Sequence, residues 1–361
     1  MAATRVEVPV TPSYPVVVGD APDLGGAVSG VLEPGLGVIL ADSNVASLHA
    51  PSVRRALEEA GWLITDVVEI PAGEQSKTLA VYAEVVRRLA RSGMTRDGTL
   101  FTLGGGVVGD LGGFVASTFM RGIDLVQLPT SLLAMVDSAV GGKVGLDLPE
   151  GKNLVGGFLQ PRIVVADLAW LETLPARELS HGLAEVIKMG LLSGGDYFDD
   201  LCHTEEARAG DLDALQILIT HSVRFKAQIV AQDELEGGRR AILNYGHTIG
   251  HALEAAAGYA LPHGEAVSVG MVAAAHLSRE KFGANLIGVH EGLLRSASLP
   301  LTLRGVEVEE VLSAMSHDKK RLAADDPKAY RFVLLEDVGN PTWGVPVDEL
   351  EARRAIGAVV G

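Results

Sequence analysis

Residues 103–158 read LGGGVVGDLGGFVASTFMRGIDLVQLPTSLLAMVDSAVGGKVGLDLPEGKNLVGGF. Glycine recurs throughout this stretch, although its apolar runs LVQLP and LLAMV are typical of buried segments. Glycine inside a packed framework indicates that the backbone approaches another group closely or takes a positive φ. Lysine, arginine, aspartate and asparagine alternate with the glycines and indicate a polar, anionic ligand. The stretch therefore predicts the floor of a site for a cofactor and a substrate.

Short β-branched segments and helical patterns alternate around this stretch. One helix, TLAVYAEVVRRLARSG, is predicted to have its N-cap at Ser76 and to stop at Gly93. The alternation predicts βαβ units, and hence an α/β domain with a Rossmann-like, largely parallel sheet. The predicted strands are VVV at 16–18, GVILAD at 37–42, LITDVVEI at 63–70, TLFTL at 99–103, IDLVQL at 123–128 and RIVVAD at 162–167.

Ligands of a parallel sheet bind at the carboxyl ends of its strands. The loops predicted there are 42–44, 71–77, 104–110 and 130–131. The third, GGGVVGD, has the pattern G-x-G-x-x-G, which suits a pyrophosphate at a helix amino terminus. The pattern is also common in ordinary turns, and it follows the fourth strand, so a nucleotide would bind differently from the usual Rossmann mode. In PAGEQSK, Glu74 and Lys77 could bind ribose and phosphate, but the local sequence favours an ordinary helix-start pair.

The pattern changes near Pro175. Four segments beyond it are helical in period and rich in alanine and leucine: RELSHGLAEVIKMGLL, LDALQILITHSVRFKAQIVAQ, NYGHTIGHALEAAA and AVSVGMVAAAHLSREKF. Strand-like runs nearly vanish there, apart from YRFVLLEDV at 330–338. We therefore predict two domains, an α/β domain over residues 1–175 and a mostly α-helical domain over residues 176–361.

The composition limits the class of protein. Hydrophobic residues make up 47% of the 361 residues, which suffices for a sizeable core, and the net charge of −16 argues against nucleic-acid or anionic-membrane partners. The single cysteine, Cys202, excludes an intrachain disulfide and fits a reducing, cytoplasmic setting. The start MAATRVEVPV lacks the apolar region of a signal peptide. No run approaches the ~20 apolar residues of a membrane span.

Histidines in the second half predict a metal site. His247 and His251 are four residues apart in ILNYGHTIGHALE and so share one helix face, and their glycine and apolar neighbours indicate that both point inward. Buried histidines need partners. Glu185, and His263 at a predicted loop or helix start, complete a set of imidazole and carboxylate groups typical of a catalytic zinc site. A histidine pair at this spacing is also common as a structural or surface feature.

Several cations lie in glycine-rich or apolar surroundings, which is unusual for an acidic protein. Such groups suit phosphate and carboxylate ligands. Any one of them could instead be an ordinary surface charge, and Lys226 could belong to a solvated helix face. The set is Arg121, Lys143, Lys152, Lys188, Lys226, Arg240, Lys319 and Lys320.

Taken together, these segments resemble the 3-dehydroquinate synthase family. The matching stretches occur in this order over most of the chain: PAGEQSK, GGGVVGD, FMRG, LPTSLLAMVDSAVGGK, GKNLVGGF, RELSHGLAEVIKMG, DELEGGRRAILNYGHTIGHALE, LPHGEAVSVGM and HDKK. The resemblance implies an NAD-binding domain, a metal-binding domain, an active site in the cleft between them, and a homodimer. It also implies a carbon–oxygen lyase of the shikimate pathway. The enzyme would convert 3-deoxy-D-arabino-heptulosonate 7-phosphate to 3-dehydroquinate and phosphate, reducing and reoxidising NAD in each turnover.

The resemblance also implies roles for residues at the matching positions. Zinc or cobalt would be held by Glu185, His247 and His263, with His251 close by but not a ligand. The substrate phosphate would be surrounded by Arg121, Lys143, Asn153, Asn244 and Lys319 or Lys320. Lys226 and Arg240 would address the substrate carboxylate, and Asp137 and Lys188 its hydroxyls. The NAD pocket would be lined by Asp42, Asn44, Glu74, Lys77, Gly105, Gly106, Val107, Asp110, Thr130, Ser131, Lys152 and Thr173.

Departures from the family pattern are small, and three alternatives remain. Ala139 stands where serine is common, Asp147 where asparagine is frequent, and His181 at a variable position.

Another sugar-phosphate cyclase is the nearest alternative, although Asn244 and His251 match the dehydroquinate type. A metal- and NAD-dependent polyol dehydrogenase would release NADH. A non-catalytic binding protein would have no need of the complete metal and lysine set.

Overall fold

The protein is described by a computed structural model that covers residues 1–317 and 329–361. The backbone forms two compact units, of which the first contains Met1–Pro175 and Lys226–Leu235 and the second contains Ala176–Phe225 and Glu236–Gly361. The division after Pro175 lies where the α/β pattern ends in the sequence. The second domain predicted over residues 176–361 differs from the second unit, because residues 226–235 belong to the first. Among the described residues, no helix has the length and apolar character needed to cross a membrane.

The first unit is a Rossmann-like α/β fold, as predicted. Its strands are β1 (Thr4–Val8), β2 (Tyr14–Gly19), β3 (Leu36–Asp42), β4 (Leu63–Ile70), β5 (Thr99–Gly104), β6 (Asp124–Pro129), β7 (Lys143–Leu148), β8 (Gly151–Phe158) and β9 (Ile163–Asp167). Its helices are α1 (Leu24–Ser29), α2 (Ser43–Glu59), α3 (Leu79–Arg91) and α4 (Gly106–Thr118). Seven strands form one sheet in the order β1-β2-β9-β6-β5-β3-β4. Only β1 in this sheet runs antiparallel to its neighbour.

Helices cover both faces of this sheet, and β3 shows why its sequence is a continuous apolar run. Ile39 and Ala41 face a core that includes residues of α1 and α2, whereas Val38 and Leu40 face a core that includes residues of α3 and α4. All four side chains are fully buried. Continuous apolar runs of this kind are typical of parallel strands buried on both faces.

The start of α3 differs from the prediction. The N-cap is Thr78, whose Oγ1 accepts a hydrogen bond from the Val81 amide at 3.3 Å. Ser76 instead ends a short 3-10 turn, and its hydroxyl donates to the Pro71 carbonyl oxygen at 2.5 Å. The Ser76 prediction is therefore wrong by two residues, because the preceding turn uses that hydroxyl. Gly93, with φ of 77°, follows the end of the helix as predicted.

The glycine-rich residues after Gly141 form a hairpin, for which the sequence predicted no strands. Strands β7 and β8 pair antiparallel in a two-stranded sheet. A Cβ atom at Gly156 would lie 2.3 Å from the Val144 carbonyl oxygen, so the two backbones approach more closely than any side chain permits. Glycine weakens the sequence signal of a strand, which explains why the hairpin was missed.

The second unit is mostly helical, as predicted. Its helices are α5 (Ala176–Ser193), α6 (Gly195–Asp200), α7 (Thr204–Arg208), α8 (Leu212–Gln232, whose end belongs to the first unit), α9 (His247–Ala256), α10 (His263–Phe282), α11 (Ile287–Ser296), α12 (Val308–His317) and α13 (Glu349–Gly357). A hairpin of β10 (Tyr330–Asp337) and β11 (Asn340–Val347) completes the unit. The central α10 packs against α5, α9, α11, α13 and β10. Glycine allows α9 to approach it closely, because a Cβ atom at Gly270 would lie 2.1 Å from the Gly246 carbonyl oxygen.

Candidate active site

Loops at the carboxyl edge of the main sheet bring several predicted cofactor residues together. Asp42 ends β3 and caps α2, because its Oδ1 accepts hydrogen bonds from the amides of Asn44 at 2.9 Å and Val45 at 3.2 Å. A Cβ atom at Gly104 would lie 3.2 Å from Asp42 Oδ2. The Thr130 amide donates to the Gly104 carbonyl oxygen at 3.0 Å. The loops after β3, β5 and β6 therefore meet at one edge.

The amino terminus of α4 is open to an anion. Gly105 and Gly106 begin the helix, and in the described part of the chain no side chain caps its first amides. A Cβ atom would lie 3.4 Å from Ser131 Oγ if placed at Gly105 and 3.1 Å from Ser138 Oγ if placed at Gly106. Val107 continues the first turn. Uncapped amides at the positive end of a helix dipole, cleared of side chains by glycine, fit a pyrophosphate.

Lys77 is a buried cation in the same group of loops. Only 4% of its side chain is exposed, and Nζ donates to Asp110 Oδ2 at 2.6 Å and to Asn153 Oδ1 at 2.5 Å. Burial lowers the pKa of Lys77, but Asp110 and Glu74 outweigh burial and raise it. The local pair that the sequence favoured for PAGEQSK is therefore incomplete, since Lys77 interacts with Glu74 and also pairs with Asp110 in α4. The role of both residues in NAD binding stays a prediction. Burial also raises the pKa of Glu74 and of Asp110.

Asp147 holds Asn153, whose side chain contacts Lys77. Its Oδ1 accepts a hydrogen bond from the Asn153 amide at 2.7 Å, and its own amide donates to the Lys77 carbonyl oxygen at 2.8 Å. Asn153 has φ of 55°, a left-handed conformation that is strained for a residue with a side chain. Asn153 thus lies beside a predicted cofactor residue, whereas the resemblance assigns it to the substrate phosphate. That assignment stays a prediction.

Asp137 and Lys226 form a partly buried ion pair within the first unit. Lys226 Nζ donates to the Oδ1 and to the carbonyl oxygen of Asp137, each at 2.6 Å. Lys226 is 5% exposed, so the alternative that it belongs to a solvated helix face is wrong. Asp137 lies in a π-helical turn, Ala134–Ser138, that follows β6.

Three other cations of the first unit, two predicted for the substrate phosphate and Lys152 for NAD, are exposed. Lys143 is the first residue of β7, Lys152 lies in β8, and Arg121 ends a 3-10 turn. Arg121 has φ of 68° and follows Met120 with φ of 49°. Two successive positive φ values at residues other than glycine are strained, and strain of this kind concentrates at ligand sites.

Thr173, predicted for the cofactor, lies in a 3-10 turn after β9. Its hydroxyl donates to the Trp170 carbonyl oxygen at 2.9 Å and lies 2.9 Å from His49 Nε2. The hydroxyl is therefore held inside the first unit, and its contact with NAD stays a prediction.

A cluster of one carboxylate and two imidazoles lies inside the second unit. Ligand atoms of Glu185, His247 and His263 all lie within 4.8 Å of one another. The Nε2 atoms of the two histidines lie 3.4 Å and 3.5 Å from Glu185 Oε1. His247 Nδ1 donates to the Tyr245 carbonyl oxygen at 3.0 Å, and His263 Nδ1 lies 3.2 Å from Glu254 Oε1. Each ring is therefore held through Nδ1 with Nε2 turned toward Glu185, as in carboxylate–histidine–metal sites.

The electrostatics of the cluster favour a cation. Glu185 is fully buried, and within the described residues neither of its oxygens has a hydrogen bond of good geometry. Burial opposes its charge, but Lys188, which pairs with Oε2, and His247 hold the pKa of Glu185 well below its usual range. Burial also lowers the pKa of His263, yet Glu185 and Glu254 raise it to about 9. Two imidazoles and a buried ionised carboxylate are a donor set that fits zinc or cobalt.

Two protein-family models match the chain. The model described as 3-dehydroquinate synthase N-terminal matches residues 67–181, and the model described as 3-dehydroquinate synthase C-terminal matches residues 182–321. The chain belongs to the 3-dehydroquinate synthase family. A 3-dehydroquinate synthase of Symbiobacterium thermophilum is 46% identical over 316 residues, which are 85% of this chain and 88% of that protein. One of Acidithiobacillus ferrooxidans is 44% identical over 336 residues, which are 91% of this chain and 90% of that protein.

Solved structures of sugar-phosphate cyclases share the fold of this 3-dehydroquinate synthase family member. A 2-deoxy-scyllo-inosose synthase complexed with carbaglucose-6-phosphate, NAD+ and Co2+ has a TM-score of 0.87 and 27% identity over 98% of this chain and 99% of that one. The 2-epi-5-epi-valiolone synthase of Streptomyces hygroscopicus subsp. jinggangensis, with NAD+ and Zn2+ bound, has a TM-score of 0.86 and 25% identity over 96% of each chain. A glycerol dehydrogenase of Schizosaccharomyces pombe, at 19% identity and a TM-score of 0.68, shows the fold alone.

The remaining residues that the family pattern predicts lie on several elements of the second unit. Arg240 is buried, and Asn244 Nδ2 donates to Glu236 Oε1 at 3.3 Å. The ring of His251 is centred 5.2 Å from that of His247 and 6.0 Å from that of His263. The HxxxH pair is thus brought together as the sequence predicted, and the non-ligand role of His251 stays a prediction. Lys319 and Lys320 lie outside the described residues.

Two groups that hold the family's predicted metal ligands were missed by the sequence analysis. Glu254 orients His263, and its position was detectable, because it lies seven residues after His247 and three after His251 on one helix face. The Tyr245 carbonyl orients His247. A backbone oxygen carries no sequence signal, so this contact required the structure.

Proposed function

We propose that this chain is a 3-dehydroquinate synthase. It converts 3-deoxy-D-arabino-heptulosonate 7-phosphate to 3-dehydroquinate and phosphate, with NAD reduced and reoxidised in each turnover. The observation that carries the proposal is the cluster of buried Glu185 and His247 with half-buried His263 in a chain of this family. Membership of the family supports the reaction, and the geometry of the cluster supports metal dependence.

The second unit supplies the metal ligands. When bound, the metal would polarise the hydroxyl to be oxidised and NAD would accept the hydride, which makes a ketone and acidifies the adjacent C–H. Glu185 stays ionised because Lys188 and His247 favour its charge. Glu254 and the Tyr245 carbonyl hold the two imidazoles by Nδ1, so that both Nε2 atoms face Glu185. Metal binding would release the proton that His263 carries on Nε2.

The first unit would hold the cofactor. The open amino terminus of α4 at Gly105 and Gly106 suits the pyrophosphate, and Asp42 and Glu74 suit ribose hydroxyls. Buried Lys77 adds a positive charge beside them. The whole proposed set is Asp42, Asn44, Glu74, Lys77, Gly105, Gly106, Val107, Asp110, Thr130, Ser131, Lys152 and Thr173.

Ion pairs in both units would exchange partners when substrate binds. Lys226 is held by Asp137. On binding, Lys226 would turn to the substrate carboxylate and Asp137 to a substrate hydroxyl. Lys188 would likewise turn from Glu185 toward a hydroxyl. Phosphate elimination needs a base at the acidified carbon, and the departing phosphate itself can serve. The cations proposed around that phosphate are Arg121, Lys143 and Lys319 or Lys320, with Asn153 and Asn244.

An assay with catalytic NAD tests the proposed reaction. The enzyme is incubated with the heptulosonate 7-phosphate, zinc or cobalt, and NAD at a small fraction of the substrate concentration. We expect phosphate release to reach the substrate concentration with no lasting absorbance of NADH at 340 nm. NADH that accumulates in step with substrate, with no phosphate, would show a polyol dehydrogenase instead.

Another sugar-phosphate cyclase is the second candidate, because structures with that activity share the fold at TM-scores of 0.86 and 0.87. Those rings are built from sugar phosphates of different length and charge. We expect no phosphate release from glucose 6-phosphate or sedoheptulose 7-phosphate. Release from either at the rate seen with the heptulosonate would identify the other type of cyclase.

We further propose that the protein is a cytoplasmic homodimer. The single cysteine supports the cytoplasmic setting, and the resemblance to the family supports the dimer. Light scattering of the purified protein should give twice the mass of the 37.8 kDa chain. A mass of one chain at all concentrations would contradict the dimer.

A further inference from the structure

A group of charged side chains connects α5 to α10 one helical turn from the candidate metal ligands. His181 Nε2 lies 3.1 Å from Glu265 Oε1, and the same oxygen accepts hydrogen bonds from Arg177 Nε at 3.0 Å and Nη2 at 2.7 Å. His181 Nδ1 lies 3.5 Å from Glu178 Oε1. Three donors thus converge on one oxygen of Glu265.

The spacing of these residues places them in line with the metal cluster. Arg177, His181 and Glu185 follow one another at intervals of four along α5, so they share one face of that helix. On α10, Glu265 lies two residues after His263. The contact of His181 with Glu265 is therefore made beside the contact of Glu185 with His263, for which Oε1 and Nε2 are 3.5 Å apart.

Glycine makes this contact a close one. A Cβ atom at Gly264 would lie 2.5 Å from both the Cα and the carbonyl oxygen of His181. Gly264 stands between His263 and Glu265, so the start of α10 lies directly on the backbone of α5. The lateral position of α10 along this contact is set by the side chains on either side of Gly264.

His181 is suited to this task because it is buried. Its side chain is 7% exposed, whereas that of Arg177 is 65% exposed. A hydrogen bond to an ionised carboxylate is stronger when it is shielded from water. An exposed ion pair such as that of Arg177 contributes little. His181 therefore provides most of the restraint, and Arg177 adds to it.

We propose that His181 is a positioning residue of the metal centre, which acts through Glu265 to hold His263 at the correct distance from Glu185. The proposal rests on the metal dependence in the proposed function. Removal of this restraint leaves all three metal ligands in place but loosens their mutual geometry. Metal sites lose about 10- to 100-fold in affinity when supporting residues of this kind are removed.

The test is the zinc affinity of the full-length protein, measured by competition with a chromophoric chelator. We expect His181→Ala to bind zinc about 10- to 100-fold more weakly than the wild type. His181→Gln places an N–H near the position of Nε2 and should restore the affinity to within about threefold, an estimate on the same scale. His181→Asn places its N–H near the position of Nδ1 and should not restore the zinc affinity. His276→Ala is the matched control, since His276 lies on α10 about 20 Å from His263.

Cobalt absorption gives a second readout that a loss of stability alone does not move. The visible bands of the cobalt-loaded protein should change in His181→Ala and return in His181→Gln. Equal zinc affinity in His181→Ala and the wild type would overturn the proposal, as would rescue by asparagine as good as that by glutamine.

If His181→Ala does not fold, Glu265→Ala decides, because it removes the acceptor of the His181 contact at a side chain that is 21% exposed. A loss of zinc affinity of about threefold or more would support the restraint, and an unchanged value would overturn it. A wild-type protein that binds neither zinc nor cobalt would refute the metal site of the proposed function itself.

Discussion

Gly270 gives the sharpest test of how the helices assemble the candidate metal centre. In Gly270→Ala the new Cβ would lie 2.1 Å from the Gly246 carbonyl oxygen and 2.9 Å from the Gly250 nitrogen. Carbon and oxygen are normally no closer than about 3.3 Å, so α9 must move from α10 by about 1 Å. Both obstructing atoms belong to the backbone, and no side-chain rotation can relieve the overlap.

The displacement acts on two properties of the protein. Overpacking costs about 1–3 kcal/mol or more, and we expect the upper part of this range because the backbone must shift. His247 begins α9 and His263 begins α10, so their Nε2 atoms move apart as well. Metal–ligand distances tolerate only about 0.2 Å. Zinc affinity should therefore fall at least about tenfold.

Urea denaturation and a chelator competition measure these two losses. Gly292→Ala is the control, since Gly292 is exposed in α11 and a Cβ atom there meets nothing within 4 Å. That variant should gain about 1 kcal/mol of unfolding free energy and keep its zinc affinity. If Gly270→Ala matched the wild type in both measurements, the close approach of α9 and α10 would be wrong.

Three further predictions follow from the site and its surroundings. His263→Ala should lose bound zinc and all turnover while the circular dichroism spectrum is kept, and a variant that retains one zinc per chain would contradict the ligand assignment. Lys143→Ala should weaken the binding of a phosphate-bearing substrate analogue by at least tenfold and that of NAD by less than threefold, as expected for loss of one charged contact of about 1.5–3 kcal/mol; equal losses would show that Lys143 is misplaced. Burial lowers the pKa of His290 to about 4 from 6.5, so the unfolded chain takes up a proton below pH 6.5 and the folded chain does so only near pH 4. The stability of the folded state should therefore fall by up to about 3 kcal/mol over that interval, and by less in His290→Gln. Equal free energies of unfolding, measured by urea denaturation of the wild type at pH 7 and pH 4.5, would refute this.

The fold was largely predictable because the sheet is buried on both faces. Its strands read as continuous β-branched runs, and six of the seven were located from the sequence. The seventh, β1, is an edge strand of five residues that begins near the amino terminus. The hairpin of β7 and β8 was missed because glycine suits both a loop and a close backbone pairing.

The sequence indicated which residues form the candidate metal cluster, but it did not indicate how their atoms are arranged. Residue type and helix spacing indicated His247 and its partners, and the family resemblance removed His251 from the ligand set. What sequence could not supply were contacts between distant residues. Lys77 pairs with Asp110 across 33 positions, and the local pattern around Lys77 favoured a different partner.

The return of residues 226–235 to the first unit has a consequence for biosynthesis. When the ribosome has completed Pro175, all seven strands of the main sheet have been synthesised, but Lys226, which pairs with Asp137, has not. Gln160, at the base of the β7–β8 hairpin, also awaits Glu234, to which its Nε2 donates at 2.8 Å. At about 5–20 residues per second, the nascent first unit stays incomplete for several seconds. The loops proposed to bind the cofactor are therefore synthesised before the Asp137–Lys226 ion pair can form.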